Sequence, residues 1–201
     1  MSTSRLEAFS DGVFAVAITL LVLQFVDPGA KNGELLSKLL GQWPQLATYG
    51  ASFLTIGVIW VNHHTIFKGI REVDRTIQFI NLVLLLMVVL VPYPTELLGH
   101  YLNSGANGSV AAAFYAVVMT AMSVSFQVLV AYAIRHPNLM RPEVKARSLR
   151  SVIPRFGVGL LTYAVAIGLA FVSATLVVAL FAVTAIYYAF NQLPWMTGDR
   201  E

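Results

Sequence analysis

Apolar and polar positions in this chain separate into long blocks instead of alternating, and block length is the informative quantity. Predominantly apolar runs occupy residues 6–26, 43–67, 76–98 and 109–134. A last apolar stretch runs from Phe156 to Phe190 with almost no interruption. As one helix of about 35 residues it would measure about 52 Å, against a hydrocarbon core of about 30 Å. It therefore predicts two spans, 154–173 and 175–193, joined by a tight turn near Ser173-Ala174-Thr175, although no Gly or Pro marks the break. The expected fold is all-α: one polytopic domain over residues 1–201 with six transmembrane helices and no room for a separate soluble domain. The first run holds Asp11 and is followed by Asp27-Pro28-Gly29 instead of a small-x-small cleavage site, so it reads as a retained helix and not a signal peptide.

Between the first two spans, Leu35, Leu36, Leu39 and Leu40 recur at helical spacing beside Glu34 and Lys38. This predicts a short amphipathic helix on the outer interface, with a plain polar loop as the alternative.

Composition agrees with the blocks. Hydrophobic residues make up 57%, charged residues only 11%, and mean hydropathy is +0.72. A soluble domain carries about a quarter charged residues, so this chain could not cover itself against water. The absence of cysteine excludes disulfides, cysteine metal sites and a thiol nucleophile. With six spans, eleven of the 13 Lys and Arg residues fall on one side and only Lys31 and Lys38 on the other. That asymmetry puts both termini in the cytoplasm. It also accounts for the basic stretch from Arg141 to Arg155, so nucleic acid is not an expected partner.

Polar groups within the hydrocarbon are costly, about 2.5–3.5 kcal/mol for an Asp at mid-helix, and each calls for a partner or a purpose. The first span carries Ser10, Asp11, Thr19 and Gln24; the second ends with Trp60, Asn62, His63 and His64; the third begins with Arg75, Gln78 and Asn81. Topology puts Asp11, the histidine pair, Arg75 and Asn81 at similar depth in the inner leaflet. A hydrogen-bonded cluster joining three helices is expected there, with Asp11 accepting from His, Arg or Asn. The cluster can be read as packing glue, as a proton relay or pH sensor through His63 or His64, or as a metal or hydrolytic site. The last fits poorly, because adjacent histidines diverge by about 100° on a helix, unlike an i, i+4 zinc pair. No nucleotide loop or nucleophile elbow occurs either, so neither an enzyme nor a cofactor or metal is expected.

The first helix reads Arg5-Leu6-Glu7-Ala8-Phe9-Ser10-Asp11-Gly12. This resembles the Arg-x-x-x-Phe-Ser-Asp signature of the prokaryotic relatives of the lysosomal potassium channel. The resemblance extends to Trp60-x-x-His63-His64-x-x-Phe67, to Arg75 with Asn81-Leu82, and to Pro92-Tyr93-Pro94-Thr95. It covers the first half of the chain by motif and the second mainly by hydropathy. That family lacks the Thr-Val-Gly-Tyr-Gly filter of ordinary potassium channels, and so does this chain.

The resemblance implies a homotetrameric potassium-permeable channel in a prokaryotic plasma membrane, the first helix of each subunit lining a central pore. It implies a hydrophobic constriction at Val16, Leu20 and Leu23, with Thr19 as the nearby polar position. These four positions lie along one helical stripe, which by itself is equally compatible with lipid-facing or core packing. The resemblance further assigns Arg5, Phe9, Ser10 and Asp11, with Trp60, Asn62, His63, His64, Arg75 and Asn81, to a supporting structural cluster and not to ion coordination. The competing functional reading is a proton- or cation-coupled transporter using Asp11 and the His63/His64 pair. No internal repeat of the kind common in carriers is visible, and Pro92 and Pro94 lie near a helix end.

Overall fold

The computed structural model describes residues 2–142 and 152–190. Lys145, Arg147, Arg150 and Arg200, and residues 191–193 of the expected sixth span, lie outside them.

Within the described residues the chain is helical. Helix α1 (Thr3–Leu20) tightens into a 3-10 turn at Leu21–Gln24. A short α2 (Leu35–Gly41) buries none of its residues. Next come α3 (Trp43–Lys68), α4 (Arg75–Leu90), α5 (Pro92–Tyr101) and α6 (Ala106–Arg135), then α7 (Val152–Leu169) and α8 (Ala174–Phe190). Thr3–Gln24, Arg75–Tyr101 and Ala106–Arg135 are each long and apolar enough to cross a membrane. Gly157–Leu169 and Ala174–Phe190 are shorter apolar helices. Helix α3 has the length at 26 residues, but Asn62, His63, His64 and Lys68 dilute its apolar character.

Two junctions show why the helices stop where they do. Pro92 has no N–H to give and its ring crowds the preceding turn. Helix α4 therefore ends at Leu90 and α5 starts at Pro92, with Val91 between them keeping helical angles (φ −53°, ψ −41°). The α7–α8 turn falls at Ala170–Ser173, slightly before the place that hydropathy suggested. The Ser173 hydroxyl there accepts the Leu176 N–H at 3.3 Å, a polar start signal for a helix that nothing else in its sequence marks.

The core is apolar and lies between helix faces. Helix α6 packs on α4, α5, α7 and α8, α3 on α5 and α8, and α1 on α3 and α4. At one end the α3–α4 turn joins the segment after α6. Ile70 pairs with Met140, and the Arg71 N–H reaches the Leu139 carbonyl at 2.8 Å. The Thr3 hydroxyl donates to the Arg71 carbonyl at 3.0 Å, which ties the start of α1 to the same end. Arg5, Lys68, Arg71, Arg75, Arg135 and Arg141 therefore gather at that end. Lys31 and Lys38, between α1 and α3, are carried at the other.

Candidate functional site: the first helix and its polar support

Helix α1 has two faces. Leu6, Ser10, Phe14 and Ala17, with Leu21 beyond, recur every three or four residues and are buried against α3 and α4. Val16 (55% exposed), Leu20 (38%) and Leu23 (70%) stand on a different face together with exposed Thr19. Core packing within the subunit is thus ruled out for this stripe. The 3-10 turn keeps it continuous, because residues three apart eclipse there and Leu23 stands over Leu20. The Thr19 hydroxyl is occupied by the Val16 carbonyl at 2.8 Å.

Behind α1 the structure brings together Ser10, His63 and Asn81, all fully buried. His63 Nε2 donates to Asn81 Oδ1 at 2.8 Å, and Asn81 Nδ2 donates to Ser10 Oγ at 3.0 Å. Ser10 in turn donates to the Leu6 carbonyl at 2.8 Å. The sequence of donors runs from α3 through α4 to α1 and ends on a backbone oxygen. Since Nε2 carries the proton, Nδ1 of a neutral His63 is left as a lone pair; it has no partner, and Phe67 stacks on the ring at 4.3 Å with Phe14 at 5.3 Å.

Asp11 takes a different partner from those expected. Its Oδ1 accepts from Trp60 Nε1 at 2.8 Å, not from His, Arg or Asn. Trp60 lies parallel to His64 at 6.0 Å, and His64 Nδ1 is 3.4 Å from Glu7 Oε1. That last distance suits an ion pair when His64 is protonated, but the atoms are not aligned as a hydrogen bond. Sequence reasoning passed over Glu7, whose spacing one turn before Asp11 was the available signal.

Four residues grouped with the cluster sit apart from it. Arg75 is exposed, its guanidinium 5.6 Å from the Phe79 ring. The buried face of α4 is Ile77, Asn81, Leu84, Leu85 and Val88, and Arg75 falls off that stripe. Asn62 turns the other way and lines a cavity between α3, α6, α7 and α8 with Ser123, Tyr163 and Tyr188. Arg5 is exposed near the start of α1, and Phe9 is 51% exposed. Depth along a helix is readable from topology, but the direction of a side chain around it also depends on the neighbours.

A second buried polar group went unread. Ser52 shares hydrogen bonds with Thr95 Oγ1 (2.8 Å) and the Tyr115 hydroxyl (2.6 Å), linking α3, α5 and α6. Beneath the spans, Asp74 caps α4, accepting from the Ile77 N–H at 2.8 Å and the Tyr132 hydroxyl at 2.6 Å. Partial burial alone would raise its carboxyl. The Ile77 and Tyr132 hydrogen bonds, with His136 nearby, outweigh that and hold it below the ordinary value of 3.8. Among the described residues no group of acids and histidines is arranged to hold a metal ion.

The family model for the endosomal/lysosomal potassium channel TMEM175 matches residues 5–92, which take in α2, α3, α4 and all but the first two residues of α1. A potassium channel of Streptomyces collinus is 47% identical over 198 residues, covering 98% of this chain and 96% of that protein. A potassium channel of Chamaesiphon minutus is 41% identical over 192 residues, 93% of each. In three dimensions the chain superposes with a TM-score of 0.83 on the crystal structure of a lysosomal potassium-selective channel TMEM175 homolog from Chamaesiphon minutus. The two share 38% identity, over 94% of this chain and 96% of that one.

Proposed function

This chain belongs to the TMEM175 family, and on that premise we propose that it is a potassium-permeable cation channel. Six spanning helices form each subunit, four subunits assemble around a central axis, and α1 of each lines the pore. The termini and the basic end face the cytoplasm of a prokaryotic cell, following the placement of Lys and Arg. The outward apolar side chains of α4 and α7, such as Leu86 and Leu161, meet lipid.

The observation that carries this reading is the exposed stripe of α1. A subunit that buries one face of its first helix against α3 and α4 leaves Val16, Leu20 and Leu23 open on another. Four copies facing one axis make stacked apolar rings, which obstruct hydrated ions and gate by dewetting. The arrangement behind α1 supports a holding role for Ser10, His63 and Asn81. Their hydrogen bonds pass through an amide and end on the Leu6 carbonyl, which gives a proton no onward acceptor. Asp11, held by Trp60, belongs to the same support.

Ion flux into liposomes containing the purified protein tests the function. A channel gives potassium flux that exceeds sodium flux and keeps rising with concentration. Flux that saturates and moves protons in fixed ratio marks a carrier, and no flux from a folded, reconstituted oligomer removes the channel reading.

A further inference from the structure

Within Phe9-Ser10-Asp11 the three side chains part company. Ser10 is fully buried and Asp11 is engaged by Trp60, whereas Phe9 is turned away and 51% exposed. A phenyl ring placed next to two inward-held polar residues, and left uncovered by its own subunit, needs another surface to face. Its position on the helix says which. Seven residues separate Phe9 from Val16, and an α-helix drifts only about 20° over a heptad. Whatever Val16 faces, Phe9 faces also, about 10.5 Å nearer the N-terminus. Gly12 lies between them on the same side, and nothing stands within 4 Å of where its Cβ would be. Exposed Arg5 lies one turn further out on this stripe.

We propose that Phe9 lines the pore on the cytoplasmic side of the constriction, as a ring of four aromatic side chains separated from the Val16 ring by a wider chamber at Gly12. The proposal rests on the reading of α1 as the pore helix and extends the pore by two turns beyond the residues already assigned to it. It moves Phe9 out of the supporting cluster and into the path of the ion. A cation leaving the cytoplasm meets this ring before any other apolar layer, and aromatic faces attract cations.

The chain has no cysteine, which makes single-cysteine accessibility a clean test. The thiolate is the nucleophile that attacks a thiol reagent, and it forms in a water-filled path and not in lipid. Phe9→Cys, Val16→Cys and the lipid-facing Leu86→Cys are each recorded while a charged thiol reagent is applied from the cytoplasmic side. Phe9→Cys should react on the order of tenfold or more faster than Leu86→Cys and lose current as it does. If Val16→Cys is blocked while Phe9→Cys reacts no faster than Leu86→Cys, this inference fails and the pore helix stands. If neither position responds, the pore reading fails with it. Should Phe9→Cys not assemble, Phe9→Leu carries the test through single-channel conductance: a changed conductance supports the ring, and an unchanged one overturns it.

Discussion

Asn81 accepts from His63 and donates to Ser10, so one amide couples three helices. Replacing it with Leu keeps the branched shape but strands the His63 N–H in an apolar site, and a stranded buried donor costs about 1–3 kcal/mol. Asn81→Leu should lower the thermal midpoint of the purified oligomer, whereas Leu82→Ala, at an exposed neighbour, should barely move it. Trp60→Phe removes a single donor from Asp11 and should harm assembly or gating before it alters potassium preference. A folded Trp60→Phe protein that assembled normally and simply lost selectivity would contradict the supporting role of Asp11. Asp74 gives a pH-dependent prediction. Its folded-state value lies below the ordinary 3.8, so its ionised form contributes stability that is complete above that value and lost as pH falls through the folded one. Acid melting below about pH 4 should therefore be shallower in Asp74→Asn than in the parent protein. At this scale Ser10, His63 and Asn81 were legible because polar groups in apolar helices must find one another. Arg75 has the expected depth but lies off the buried face of α4, because equal depth does not mean equal direction.

Helices are where sequence is most informative here, since an apolar run of bilayer length has few other uses. Trp43–Lys68 and Ala106–Arg135 occupy the second and fourth runs to within a few residues, and the short helix Leu35–Gly41 sits where the four leucines recur. Interhelical approach was not legible. A Cβ on Gly99 would stand 2.8 Å from Thr48 Oγ1 and 3.1 Å from the Gln45 Cα, yet Gly99 looks like any other glycine in an apolar helix. Thr48 cannot simply swing aside, because its hydroxyl is bonded to the Pro44 and Gln45 carbonyls. Gly99→Ala must push α5 off α3, and overpacking of this kind costs about 1–3 kcal/mol. Thermal unfolding should show it as a clear loss. The same substitution at Gly50, where nothing lies within 4 Å, should be tolerated by the subunit fold.

For the molecule as a whole, a subunit of this size shows two kinds of apolar surface that burial alone does not tell apart. Leu86 on α4 and Leu23 in the 3-10 turn that ends the first helix are 61% and 70% exposed, the first proposed to meet lipid and the second the pore. Ser10–Asn81–His63 locks a buried face of both α1 and α4, so what separates them is the pore proposed along α1, whose orientation is fixed while its stripe stays uncovered. That arrangement suits a helix that must present the same side chains to a shared axis in every subunit. The measurement that tests this most directly is single-channel recording in planar bilayers, comparing the parent protein with Val16→Ala and Leu23→Ala. Discrete potassium currents are expected in the parent, with altered conductance or potassium preference in both variants. Currents that are identical in all three proteins would take α1 out of the pore.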